Sequence, residues 1–433
     1  MRGDFWLVVG IALMACDPAD PGGPSADGWA MSPIEDAMLA DAELDFDLGA
    51  VDADAPDASE VDAFFTDLDV PDIDVSDAEP DIEPPAVERI ELGPCALGVP
   101  VTFEVPDGFE SALIQARGRS DGVYLIADVA GPSGALEGAA ATAPQPEIAT
   151  ALMPNDGTGM PLEPGAYTFV LEAVGPVEGG LSCEVWLKGP PGATVTAINL
   201  LLPPGAEVAP GDAALEQMAQ ALEGHLEAQF DIQAEISITS LAAGSPTVLD
   251  LGPTGAELVA LGELGAGAIG LDVPEGIDVY LVDQIQVGAL TQSGISGGLP
   301  VPIGHRGRAS SVVAVRTSLI EDFPADVAWR VAHEIGHALG LYHTTEARLI
   351  PGRDPVHDPI EDTLECPEIC DVDNDRVLFA TECGVRGQGV LPCEGTADNL
   401  MFWSPAGLKL ITDGQREVIQ RHPLVGGIFE DFR

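Results

Sequence analysis

Between His333 and His343 the chain carries two histidines four residues apart and an acid, Glu334, directly after the first. Gly340 lies three residues past His337, and His343 three residues past that glycine. Asp322 or Phe323 followed by Pro324 predicts a helix start, and Gly340 predicts its stop. Residues four apart on a helix sit about 40° apart around its axis, so His333 and His337 project from one face. A left-handed Gly340 would end the helix, turn the chain back and bring in His343 as a third nitrogen donor. Three neutral imidazoles with one position open for water are the arrangement of a catalytic zinc site. Zinc lowers the pKa of such a water toward about 7, and Glu334 is placed to take its proton as general base. The bland alternative is core or surface histidines at helical spacing. It must account for three of the seven histidines of the chain falling within eleven residues.

These residues match the HExxHxxGxxH signature at every specified position, and the chain resembles the metzincin zinc metalloproteases. Asp398-Asn399-Leu400-Met401 is similar to the methionine turn of that family. The resemblance implies that Met401 packs beneath the ligands without binding metal; by itself a Met in an apolar run reads as core. The order of His357-Asp358-Pro359-Ile360-Glu361-Asp362-Thr363, the cysteines and Asn399-Leu400-Met401 resembles the pappalysin-type members. Leu364 replaces a usual proline, and Trp403 stands where a tyrosine would assist the oxyanion. The likeness spans residues 193–423 and is strongest at 332–343 and near Met401. It implies an endopeptidase acting on extracellular proteins or peptides, the substrate lying along an edge strand near residues 298–303. One alternative is a catalytically idle zinc-binding protein, against which the intact Glu334 speaks because a structural site needs no base. Another is an adhesin-type surface lipoprotein whose β domain does the work.

The chain is 433 residues long, more than one ordinary domain needs. Its net charge of −55 argues against nucleic acid or anionic lipid as a partner through a basic patch. Residues 1–16 read as an export signal: an apolar stretch too short to span a bilayer, ending in Leu13-Met14-Ala15-Cys16. That ending resembles the bacterial lipobox, which implies a lipid on Cys16, membrane attachment through it, and a cell-envelope protein facing the periplasm or the exterior. Residues 17–88 hold 23 acids and no Lys or Arg, the composition of an extended tether. Docking of its apolar patches as a propeptide is the alternative.

Residues 89–192 read as a small all-β sandwich, with apolar or alternating runs at 99–105, 123–129 and 167–174 between turns. From residue 193 strands are expected at 194–202, 232–239, 277–282 and 311–319. A helical stripe runs through Leu215, Met218, Leu222 and Leu226, and the metal-motif helix follows the last strand. The fold class is therefore α+β, a metzincin-type catalytic domain over 193–433 behind the sandwich. Thr412 and Gln415 form a capping box that opens a terminal helix to about Arg421. With Cys16 set aside, six cysteines remain, an even number that suggests three disulfides. Asp371, Asp373 and Asp375 are spaced as in a calcium loop, although Arg376 occupies the position that wants glycine. A solvated acidic turn is the other reading.

Overall fold

The computed structural model describes the strand Met14–Cys16 and residues 87–426. Excepted are 120–121, 137–142, 175–179, 191, 193, 252–255, 270–274, 288–289, 347–356, 375, 385–392, 394 and 405–407. The tether at 17–86 and the signal apart from residues 14–16 lie outside the described residues, as does Asp375.

The architecture is mixed α+β with several sheets. A six-stranded sheet runs in the order Met14–Cys16, Gly294–Ser296, Val312–Arg316, Ile277–Val282, Val195–Leu202, Gln233–Ser240. The last four are parallel, and the first two add antiparallel at one edge. Parallel strands are usually covered on both faces, so alternate residues enter different cores. Leu200, Val279 and Val313 join the core that holds helices α1 (Ala213–His225) and α3 (Pro324–Ala338). Leu201, Tyr280 and Val312 join the opposite core with α2 (Ala256–Ile269). The expected stripe is buried there through Leu215, Met218 and Leu222 of α1 and Leu226 in the helical turn that follows it. The sequence reading did not anticipate α2, a run with several glycines. One of them has a packing reason: a methyl at Gly265 would lie 2.6 Å from Cζ of Tyr280 on the sheet beneath.

Ahead of this sheet lie two antiparallel sheets. One orders Val87–Cys95, Leu181–Lys188, Ser111–Arg117 and Ile148–Met153; the other, Val101–Val105, Gly165–Ala173, Val123–Gly131 and Gly134–Ala135. Their facing sides share one core, with Ile114 and Val185 from the first sheet and Phe103, Tyr124 and Phe169 from the second. Cys95–Cys183 ties two neighbouring strands of the first sheet, closing 88 residues. On the loop-entropy model that is worth about 4–5 kcal/mol. Cys366–Cys383 and Cys370–Cys393 close two smaller loops, so the six cysteines form three bridges. Disulfides persist in oxidising compartments, which fits an extracytoplasmic protein.

The β half does not stand apart. Leu113, Leu152 and Trp186 belong to the core that holds α3. Lys188 is buried, and its ammonium donates to the carbonyls of Gln420, His422 and Val425 at the end of α4 (Asp413–Arg421). The Gln420 carbonyl is one that a helix terminus leaves without an intrahelical partner, and the other two lie just beyond the helix.

Candidate metal centre

Helix α3 starts with Pro324 in its first turn and Phe323 as N-cap, and it carries ten buried residues. Beyond it Gly340 takes φ +106°, where a side chain would be strained. The Gly340 amide donates to His337 O at 2.9 Å and the Leu341 amide to Gly336 O at 2.9 Å, the two bonds of a Schellman motif. This turn sends the chain back along the helix. As a result one nitrogen each of His333, His337 and His343 fall within 4.8 Å of one another, all three rings buried.

Each imidazole is oriented by its other nitrogen. His333 Nδ1 meets the Leu400 carbonyl at 2.5 Å, and His337 Nδ1 meets the Leu341 carbonyl at 2.7 Å. A carbonyl only accepts, so these Nδ1 atoms carry the protons and Nε2 keeps its lone pair. His343 Nδ1 lies 3.3 Å from a Glu346 carboxylate oxygen. Nε2 atoms of His337 and His343 face each other at 3.1 Å, a contact that needs a proton or a cation between them. Burial, reinforced by the neighbouring His343, holds His333 down to about 3 and His337 well below the ordinary histidine value. Protonation is thereby disfavoured, and a buried set of neutral imidazoles fits a metal such as zinc.

The segment Asn399-Leu400-Met401 packs against α3 beside this cluster. The Met401 amide donates to Asn399 Oδ1 at 2.8 Å, and the Thr344 amide to the Met401 carbonyl at 3.0 Å. A methyl at Gly336 would lie 2.6 Å from Met401 Sδ, so glycine at this helix position lets the thioether approach. The Asn399 side chain is paired with Gln415, the capping-box residue whose amide bonds Thr412 Oγ1 at the start of α4. Glu334 is buried on α3 and faces the strand Gly294–Ser296.

Other sequence expectations fare differently. Residues 298–303, taken as the substrate edge, form no strand and are committed elsewhere. Val301 N donates to Ala338 O at 2.9 Å, while Gln145 and Thr150 bond the carbonyls of Leu299 and Pro300. Gln115 pairs with both the N–H and the C=O of Ile303. The strand beside Glu334 is Gly294–Ser296. Trp403 is buried, donates its indole N–H to Leu378 O at 2.6 Å and packs on Phe379 and Phe402, so its polar atom is spent on the disulfide-linked segment. Carboxylates of Asp371 and Asp373 gather with that of Glu382, while Asp375 lies outside the described residues. There Asp371 accepts from the Arg376 amide, and Glu382 from the amides of Val372 and Phe379. The backbone of Cys16 lies in the outermost strand of the six-stranded sheet, opposite Gly294. Glu346 and the Leu400 carbonyl escaped the sequence reading. Of the two, only Glu346 left a trace in the sequence, as an acid three residues past the last histidine.

No family model matches the chain, and no curated protein matches it. Among solved structures, archaemetzincin from Methanopyrus kandleri is similar at 13% identity and a TM-score of 0.24, over 35% of this chain and 76% of that one. Metalloproteinase-II from Bacteroides fragilis is similar at 17% identity and a TM-score of 0.24, over 37% of this chain and 53% of that one. The chain thus spans about half the length of the second protein. Likeness at this level carries none of the assignment, which stands on the residues themselves.

Proposed function

We propose that the chain is a zinc-dependent endopeptidase exported to the cell envelope. The observation that carries this reading is the buried convergence of His333, His337 and His343, with Glu334 beside them on α3. Zinc held by these three nitrogens would supply a Lewis acid for the scissile carbonyl and for the attacking water. Glu334 accepts the proton of that water and passes it to the departing amine. An extended substrate adds along Gly294–Ser296, the strand beside the base, in the place that Met14–Cys16 takes opposite it, and main-chain bonds of a strand pair hold it there. Leu400 and Leu341 keep two imidazoles in the tautomer that presents Nε2.

Lipid on Cys16 and the acidic segment after it complete the proposal as an anchor and a tether. Processing before Cys16 would take Met14 and Ala15 away from their places opposite Ser296 and Ile295, clearing that edge for substrate.

The test is cleavage of a peptide library by the purified chain, before and after chelation and again after zinc is restored. Activity lost with the chelator and regained with zinc is expected. His→Ala at 333, 337 or 343 should reduce zinc content as well as rate. Zinc bound tightly with no peptide cleaved would favour the idle zinc-binding protein.

A further inference from the structure

We infer that Gly294 is a positioning residue for Glu334: the missing side chain on the strand Gly294–Ser296 sets where the carboxylate stands. The catalytic consequence rests on the peptidase reading above, but the contact itself does not. Gly294 is buried in Gly294–Ser296, with its backbone opposite Val315 of the neighbouring strand. A methyl placed there would lie 2.7 Å from Glu334 Cγ and 2.8 Å from Cδ, and nearer still to Oε1. Those three atoms are its nearest neighbours, all from one side chain.

Gly294 is not among the glycines with positive φ, so space rather than backbone conformation demands it. What would yield also differs along this segment. A methyl at Gly297 or Gly298 would run into the backbone carbonyls of Ala309 or Ser310, which cannot move alone. At Gly294 it meets the end of a flexible side chain, while the strand is held by its pairing to Val312–Arg316. Gly294→Ala therefore displaces the Glu334 carboxylate and leaves strand, helix and histidines in place. Misplacing a reacting group by about 1 Å costs on the order of 10²-fold in rate.

The experiment is a double-mutant cycle on the full chain with Gly294→Ala, Glu334→Ala and the pair together, read by zinc content, kcat, KM and thermal midpoint. Gly294→Ala should keep zinc and lower kcat by about 10²-fold. In the Glu334→Ala background the same change should leave the midpoint unmoved, because the atoms it strikes are gone. If Gly294→Ala alone does not fold, the double variant should fold. Parent-like kcat in Gly294→Ala, an equal midpoint loss in both backgrounds, or a double variant that also fails to fold would overturn the inference. Should the parent cleave no peptide, the peptidase reading fails, and the midpoint cycle still decides the contact.

Discussion

Asp358 shows how one side chain beyond the histidines shapes the conditions under which the chain is stable. Thr363 Oγ1 donates to its Oδ1 at 2.5 Å, and Oδ2 is buried with no hydrogen-bond partner among the described residues. Burial, offset only in part by that hydroxyl and by a backbone bond at Ile360, pushes the carboxyl up from 3.8 to about 7. Between those values the folded chain binds more protons than the unfolded one, so stability falls as pH rises through the window. Asp358→Asn fixes the neutral form and still accepts from Thr363. It should gain about 1–3 kcal/mol over the parent at pH 8 and nothing near pH 4, measured as thermal unfolding at both. An equal gain at both would contradict the assignment. The residues that the sequence disclosed were those whose geometry is local: His333 and His337 one helical turn apart, Gly340 and His343 in the turn that follows. Leu400, Glu382 and Gly294 reach their partners from distant segments, and no spacing encodes that.

Among the elements, the segment between Gly294–Ser296 and Val312–Arg316 departs most from expectation. Its residues 298–303 are expected from the sequence to lie along the substrate. Folded, it is clamped to the β half by Gln115, Gln145 and Thr150, and by Glu147, which accepts from the Ala309 amide at 2.7 Å. Glu184 joins the clamp, taking hydrogen bonds from Gln115 and Arg89 and a contact at 3.1 Å from His305. Burial raises that carboxyl, yet His305 and Arg89 outweigh it and hold it near 2. Gln115→Ala would leave the buried N–H and C=O of Ile303 without their side-chain partner, costing about 2–3 kcal/mol. A denaturant midpoint unchanged within about 0.5 kcal/mol would contradict the clamp. Helix α3, its Schellman stop and the capping box of α4 were legible because caps are written within a few residues. Helix α2 and the role of this segment were not, because each is set by the surface it lies against.

At the scale of the whole molecule, the β half and the metal helix share structure rather than sitting side by side. Leu113, Leu152 and Trp186 fill the core around α3, and a methyl at Gly340 would lie 3.0 Å from Leu152, so the turn that delivers His343 is braced from the β half. The adhesin alternative treats the metal-binding portion as incidental, which this shared core does not favour. Such bracing suits a centre whose ligands must stay fixed while one group beside them moves a proton. That division of labour is the central claim, and replacing Glu334 alone tests it. Glu334→Ala should leave zinc content and folding as in the parent, because His333, His337 and His343 keep their carbonyl and carboxylate partners. Cleavage of a quenched peptide drawn from the library screen should fall by roughly 10²–10⁴-fold, with the remainder still abolished by a chelator. Full activity in Glu334→Ala, or zinc lost along with the carboxylate, would contradict the account.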